Sequence, residues 1–288
     1  MSELKFNLKK ILVPTDFSDL SLTALRYAAS MAKHSDAEII LLHVMQPYEH
    51  EAILNKIIDF KGTLQKAIQE KLNETKQSTP DLLGVPVKVK IVEGRIYEAI
   101  ETVVKEEDLD LIVMGTHGAG GLGNLEKYVL GTNAYRTVHV SGCPVITLRE
   151  VKEKVAYDNI VLPLDMTKET KQKVDTAIKI AKVLGSTIHV VSVTTFLDEF
   201  RYNISEIKGL LQEVAEKVSA SGVKVVTEML RHDDIADSIL KYSEDINADL
   251  VIIMTRQESK LNDIVLGSSA RKIITESKVP VLSLRPRE

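Results

Sequence analysis

The chain consists of two halves that repeat the same order of sequence elements. The first half opens with Ile-Leu-Val-Pro-Thr-Asp and the second with Ile-Val-Leu-Pro-Leu-Asp, and Pro14 and Pro163 lie 149 positions apart. Each half ends on a glycine, a hydroxyl residue, a segment of helical length and a proline-led apolar run. The two glycines of this closing pattern, Gly131 and Gly267, lie 136 positions apart. A shared order with a shortened middle indicates duplication followed by divergence, and two copies predict two domains rather than a solenoid.

Composition places the chain among globular proteins. Its 288 residues accommodate two domains of ordinary size, which we predict at 1–150 and 151–288. Hydrophobic residues make up 44%, which argues against disorder, and the net charge of −4 offers no basic field for nucleic acid. The polar residues 1–10 lack a secretory apolar segment, and no run approaches the roughly 20 apolar residues of a membrane span. A cytoplasmic protein that binds neither membrane nor nucleic acid is expected.

Apolar runs alternate with segments of helical periodicity in both halves. The predicted strands are 11–13, 39–44, 87–91, 111–114 and 145–148, then 160–162, 188–193, 223–227, 250–254 and 281–284. A long amphipathic helix is predicted over 53–72, with Gly62 as its weak point, and the second half has helices over 171–184, 204–219, 235–243 and 269–277. This alternation predicts α/β domains, each with a parallel sheet covered by helices on both faces. The charged segment 149–158 is interpreted as a short tether between them.

Three segments of the first half are predicted to converge where ligands bind in open α/β sheets, beyond the carboxyl ends of the strands. They are residues 14–16 (Pro-Thr-Asp), 43–45 (His-Val-Met) and the glycine-rich stretch 114–123. Glycines after a strand let backbone amides approach phosphate oxygens, and a helix beginning near Gly131 adds further amide donors. Asp16 could then accept a hydrogen bond from a ribose hydroxyl or an adenine amine, and Val44 could contact a base.

Simpler structural roles compete with these assignments. Asp16 could only cap a turn, and His43 lies in an apolar strand, which favours a hydrogen-bonded core histidine over a catalytic base. His117 could touch a phosphate or face solvent. Cys143, before Pro144, is interpreted as an inert core thiol, and a single cysteine excludes an internal disulfide and a cysteine-based zinc site.

Together these segments resemble the universal stress protein family in its tandem two-domain form. The resemblance covers essentially the whole chain and rests on the motifs at 11–18, 42–44, 114–118, 131–132 and 143–145. It implies a Rossmann-like five-stranded parallel sheet with flanking helices in each domain. It also implies one of two behaviours, because the family includes ATP binders and a branch that does not bind nucleotide.

The ATP binders share a glycine pattern of Gly, two residues, Gly, nine residues, Gly, then Ser or Thr. By spacing, Gly118, Gly121 and Gly131 fit it; by strand position the first pair is Gly115 and Gly118, which leaves twelve residues before Gly131. We favour a loop lengthened by three residues. The nucleotide contacts that the resemblance implies are Pro14, Thr15, Asp16, Val44, Met114, Gly115, Gly118, Gly121, Gly131 and Thr132. Bound ATP would normally bring Mg²⁺, and no protein metal site is predicted.

The second half departs from this pattern. Its loop after Met254 reads Thr-Arg-Gln-Glu-Ser-Lys, with no glycine before Gly267, although Asp165 and Ser268 are retained. Side chains would therefore project where backbone should approach a phosphate, and Glu258 would add negative charge. We predict that the second domain keeps the fold and has lost the site.

The resulting hypothesis is a cytoplasmic stress-response protein that binds ATP in its first domain and acts in regulation, because no general base is evident near the phosphates. Two alternatives stay open: an interaction module without nucleotide, and a weak ATP hydrolase in which His117 or Asp16 assists water. The final strands 144–148 and 280–284 are apolar and would leave open sheet edges. In the family that the chain resembles, the final strand of one domain commonly pairs with the same strand of another, and here both copies lie on one chain. We therefore predict that the two final strands pair with each other within the chain; dimerisation of the whole chain is not specified.

Overall fold

The computed structural model describes residues 8–47, 59–117, 131–151, 155–164, 170–194, 204–231, 234–255 and 267–285. The strands within these ranges are β1 (Lys10–Pro14), β2 (Glu38–Met45), β3 (Val87–Glu93), β4 (Leu111–Gly115), β5 (Val145–Leu148), β6 (Asn159–Leu164), β7 (Thr187–Thr194), β8 (Val225–Arg231), β9 (Leu250–Met254) and β10 (Val281–Leu284). The helices are α1 (Asp19–Ser35), α2 (Phe60–Ser78), α3 (Ile96–Glu107), α4 (Thr132–Val140), α5 (Thr170–Leu184), α6 (Ile204–Ala220), α7 (Ile235–Asp245) and α8 (Ser268–Glu276). A 3₁₀ turn, Pro80–Leu82, precedes β3.

The strands form one continuous sheet in the order β3-β2-β1-β4-β5-β10-β9-β6-β7-β8. Neighbours within each half are parallel, whereas β5 and β10 are antiparallel, with Ile146 opposite Leu282. Each half is the predicted Rossmann-like arrangement, and the predicted pairing of the final strands is confirmed. The two halves therefore share a single sheet of ten strands.

Alternate residues of the buried strands supply two cores, one on each face of the sheet. Ile11 and Val13 point to the face covered by α1, α2, α5 and α6, whereas Leu12 points to the face covered by α3, α4, α7 and α8. Both cores run across the β5–β10 junction, because Ile146 and Leu282 belong to the first core, and Val145 and Val281 to the second. Burial on both faces explains why these strands are apolar without interruption.

The predicted strands and helices agree with the structure except in details that local contacts explain. β8 begins at Val225, two residues later than predicted, and continues to Arg231. α2 continues past the predicted end to Ser78, and the predicted helical residues before 59 lie outside the described residues. Gly62 is not a weak point: its amide donates to Asp59 Oδ1 (3.0 Å), which caps the helix, and a β-carbon on Gly62 would lie 2.3 Å from the Asp59 carboxylate.

At its described ends, the segment that joins the halves packs against the rest of the protein and is therefore more than the predicted tether. Tyr157 is buried, and its hydroxyl donates to the Tyr27 carbonyl oxygen (3.0 Å), with the two rings packed edge to face. Arg149 reaches across to the last turn of α8. The halves are therefore joined by packed side chains as well as by the sheet. In the described part of the chain, no helix is long and apolar enough to cross a membrane.

Candidate functional site

A cleft of about 170 Å³ opens at the carboxyl ends of β1, β2 and β4, beside the first turn of α4. The strand ends and the residues that follow them contribute Pro14, Thr15, Asp16, Leu42, His43, Val44, Met114, Gly115, Thr116 and His117. The helices contribute Ser21, Ile96, Gly131, Thr132, Asn133 and Ala134. The location is the one that a parallel sheet with reversing strand order provides for ligands.

The turn from β1 into α1 is held by a network of side-chain hydrogen bonds. Asp16 Oδ1 accepts from the Ser18 amide (3.1 Å) and from the Ser18 hydroxyl (2.6 Å), and Ser18 is the N-cap of α1. Thr15 Oγ1 accepts from the Phe17 amide (3.0 Å) and shares a hydrogen bond with the Ser21 hydroxyl (3.0 Å). The Asp16 carboxylate is thereby oriented at the cleft wall by the same contacts that begin the helix.

His43 and Phe17 support this turn from the side of β2. Phe17 adopts a left-handed backbone conformation (φ 66°), which is unfavourable for a residue with a side chain. Its ring stacks on the His43 imidazole, with centroids 4.9 Å apart and planes 22° apart. His43 Nδ1 is 2.8 Å from the Thr15 carbonyl oxygen, which can only accept, so that Nδ1 carries the proton. The predicted hydrogen-bonded histidine is confirmed, and it lies in the cleft wall.

The other wall forms where β4 and α4 meet at close range. The Gly131 amide donates to the Thr116 carbonyl oxygen (2.9 Å), and a β-carbon on Gly131 would lie 2.6 Å from that same oxygen. A β-carbon on Gly115 would lie 2.8 Å from Leu20 Cγ. Position 131 therefore needs glycine because its neighbour is backbone, whereas a side chain at position 115 would require the Leu20 side chain to shift. Gly131 is also the N-cap of α4, and no side chain of the described residues caps this helix, so that its first-turn amides are directed at the cleft.

The cleft combines one carboxylate with apolar surface and backbone dipoles. Asp16 is the only carboxylate among the described lining residues, and none of these residues is Lys or Arg. An anionic group could therefore be held there by the amides and the positive dipole end of α4 rather than by a side-chain cation. Within the described ranges, no three His, Cys, Asp or Glu side chains cluster closely enough to hold a metal ion.

The structure brings together eight of the ten residues proposed from the sequence. Pro14, Thr15, Asp16, Val44, Met114, Gly115, Gly131 and Thr132 all line the cleft. Gly118 and Gly121 lie outside the described residues, so the choice between the two glycine registers stays a prediction. His117 also lines the cleft, with Nδ1 3.0 Å from the Thr116 hydroxyl.

Sequence reasoning missed several lining residues, and some carried a usable signal. Asn133 and Ala134 directly follow Thr132 in the first turn of α4. Ile96 begins α3 just after β3, whose carboxyl end lies at the same edge of the sheet. Ser21 lies one turn into α1, where only the fold turns it toward Thr15. Cys143 is half-buried away from the cleft lining, and burial raises the pKa of its thiol to about 11, as expected for an inert thiol.

The matching region of the second half is built differently where it is described. Lys173 is buried and donates to the Pro163 carbonyl oxygen at the end of β6, whereas the first half has Ala24 at the matching position. Leu164 replaces Thr15, so the hydroxyl that organises the first turn is absent there. Gly267 begins α8 with a backbone conformation close to that of Gly131, yet no described atom lies within 4 Å of a β-carbon built on it. Asp165 and residues 256–260 lie outside the described residues.

The fold and the cleft define a tandem α/β protein with two Rossmann-like units that share one sheet. The model of the universal stress protein family matches residues 7–149 and again residues 156–285. The chain therefore belongs to the universal stress protein family, in its tandem two-domain form.

Individual relatives match either one half or the whole chain. Universal stress protein MJ0531 of Methanocaldococcus jannaschii is 32% identical over 154 residues, which are 51% of this chain and 85% of that protein. Universal stress protein Slr1230 of Synechocystis is 22% identical over 300 residues and covers 96% of this chain and all of its own length. The crystal structure of a universal stress protein from Archaeoglobus fulgidus covers 99% of this chain and 100% of its own, with a TM-score of 0.77 and 22% identity, which shows a shared tandem fold.

Proposed function

We propose that the first domain binds ATP in this cleft and that the protein is a cytoplasmic stress-response regulator rather than an enzyme. The observation that carries the proposal is the close packing of Gly131 on Thr116, which directs the first turn of α4 into the cleft. The second domain keeps the glycine at Gly267, and among the described residues nothing packs against it in this way. Nucleotide binding is accordingly assigned to the first domain alone.

The chemistry of the lining residues suits the parts of a nucleotide. Leu42, Val44, Ile96 and Met114 offer apolar contact to a base, and Asp16 can accept a hydrogen bond from a ribose hydroxyl or an exocyclic amine. The phosphates would reach toward the exposed Thr132, where the amides of α4 and the threonine hydroxyl can donate. Mg²⁺ would arrive with the phosphates, as part of the ligand.

Calorimetric titration of the purified protein with ATP tests this proposal. One site per chain is expected, and two equivalent sites would contradict the asymmetry between the domains. Comparison of ATP and ADP after prolonged incubation distinguishes binding from slow hydrolysis by His117 or Asp16. Absence of binding in the presence and absence of Mg²⁺ would favour an interaction module without nucleotide.

The paired glycines provide matched variants for the same titration. Gly131→Ala places a methyl group 2.6 Å from a backbone oxygen, so α4 or the end of β4 must shift. We expect a loss of about 1–3 kcal/mol in stability, as in overpacked cores, together with weaker ATP binding. Gly267→Ala meets open space among the described residues and should change stability by less than about 0.5 kcal/mol and leave affinity unaltered. Equal effects of the two variants on ATP affinity would overturn the assignment to the first domain.

A further inference from the structure

Two arginines make reciprocal contacts across the junction of the domains. Arg149 directly follows β5, and Arg285 directly follows β10, 136 positions later. Arg285 Nη1 donates to the carbonyl oxygens of Val140 (3.0 Å) and Ser141 (3.2 Å), at the end of α4. Arg149 Nη1 donates to the carbonyl oxygen of Glu276 (2.6 Å), at the end of α8. Each domain thus supplies the cation at the C-terminus of the other domain's last helix, where cations stabilise the helix dipole and the terminal carbonyl groups.

The helix that Arg285 contacts is the one that begins at the candidate site. α4 has only nine residues, about 13 Å of helix, so that its first-turn amides and its last carbonyls belong to one short rigid element. Its buried residues Ala134 and Val138 anchor it on the sheet. Arg271 of the second domain also lies over the Tyr135 ring, 5.8 Å from the centroid. The second domain therefore contacts both the side and the C-terminal end of the element that faces the cleft.

The positive charge at the C-terminal end of α4 comes mainly from the second domain. His139, in the last turn, could also serve as a cation there. Burial, and then the charge of Arg285, lower the pKa of His139, which favours the neutral imidazole. Arg285 therefore remains as the cation that holds the terminal carbonyls of α4.

We infer that Arg285 is a positioning residue for the first-domain cleft, through which the second domain fixes the orientation of α4. This inference rests on the proposed function, since the oriented amides matter only if they bind a ligand. Without Arg285, the last turn of α4 loses its bridging donor, the helix frays or tilts, and the amides at Thr132 and Asn133 leave the geometry that the ligand requires. The second domain, with its altered loop, then serves as a built-in scaffold for the site of the first.

Arg149 provides the matched control, because its removal breaks the equivalent contact between the domains at the end of α8 rather than at the end of α4. Arg285→Met and Arg149→Met keep the aliphatic stem and remove the donors, and Arg285→Lys keeps the charge. For Arg285→Met, we expect calorimetry to show a Kd for ATP raised by roughly 2- to 30-fold, the range for residues that act through another. Arg149→Met should bind within about twofold of wild type, and Arg285→Lys should recover part of the loss. Equal Kd values for the two Met variants, or an unchanged Kd in Arg285→Met, would overturn the inference.

Hydrogen exchange on the same full-length proteins, without nucleotide, separates this inference from the proposed function. Arg285→Met should speed exchange of amides in α4, whereas Arg149→Met should speed exchange in α8. If the wild-type protein binds no ATP, the proposed function fails, and the exchange data then decide the role of Arg285. Unchanged protection of α4 in Arg285→Met would show that Arg285 does not hold the helix.

Discussion

At the scale of single residues, Asp16 combines a structural and a candidate binding role. Its carboxylate accepts two hydrogen bonds from Ser18, the residue that caps α1, and it lines the cleft. The sequence allowed either turn capping or ligand contact, and the structure shows that the capping contact is made. The two roles are compatible, because one carboxylate has acceptor sites for several donors.

Substitution of Asp16 and of Ser18 should separate these roles. Asp16→Ala is expected to weaken ATP binding by roughly 0.5–3 kcal/mol. The lower end applies to a hydrogen bond between neutral groups and the upper end to one with a charged group. Ser18→Ala removes the α1 cap and should lower stability by about 0.5–2 kcal/mol. It should reduce affinity less than Asp16→Ala does, because the Ser18 amide still holds the Asp16 carboxylate after the hydroxyl is lost. Thermal unfolding of both variants measures the change in stability, and calorimetric titration measures the change in ATP affinity. If Asp16→Ala lowers stability as Ser18→Ala does and leaves affinity unchanged, Asp16 is a capping residue alone.

At the scale of secondary structure elements, His189 on β7 links its strand to two neighbours. Its Nε2 is 3.2 Å from Asn159 Oδ1 on β6, and its Nδ1 is 3.1 Å from the Tyr242 hydroxyl on α7. Because an amide oxygen can only accept, Nε2 donates, and the neutral ring accepts from Tyr242 through Nδ1. Protonation of His189 would replace this acceptor with a donor. Burial lowers the pKa of His189, in agreement with a neutral ring in the folded protein.

This contact predicts a pH dependence of stability. The unfolded chain takes up a proton at His189 near pH 6.5, whereas the folded protein does so only at lower pH. The unfolded state therefore binds more protons as the pH falls below about 6.5, and the free energy of unfolding decreases. Urea unfolding at pH 7.5 and pH 5.5 should show this loss, and His189→Gln should reduce it. An identical loss in wild type and variant would assign the pH dependence to other groups.

At the scale of the whole molecule, the antiparallel β5–β10 contact turns two parallel sheets into one. Without it, Val145 and Ile146 would lie at an open sheet edge beside an incomplete core. Tyr157 against Tyr27 and the two arginine contacts add to the same junction. The junction therefore buries apolar side chains on both faces of the sheet and satisfies backbone groups between them.

A fragment of residues 1–150 should consequently self-associate. In the full chain β10 covers the edge of β5, and in the fragment this edge is exposed. It is therefore expected to pair with the same edge of a second copy. Sedimentation velocity should show a dimer or larger species. A stable, soluble monomer of the unmodified fragment would show that the junction is not needed to cover β5.

The sequence by itself determined the fold class, the succession of strands and helices along each half and the position of most cleft residues. These follow from short-range patterns: apolar runs mark buried strands, helical periodicity marks the layers that cover them, and parallel strands carry their carboxyl ends to one edge. The repeat extended the same prediction to the second half. The pairing of the final strands was predicted from the family resemblance together with their apolar edges.

Only the tertiary structure decided which residues from distant segments meet. Ser21 and Ile96 reach the cleft through the packing of α1 and α3. Gly131 and Gly267 have nearly equal backbone angles but differ in the described atoms that surround them. Arg285 contacts Val140 across 145 positions of sequence. No periodicity or local spacing encodes such contacts, because they depend on how complete layers pack and on where a side chain finds an acceptor in three dimensions.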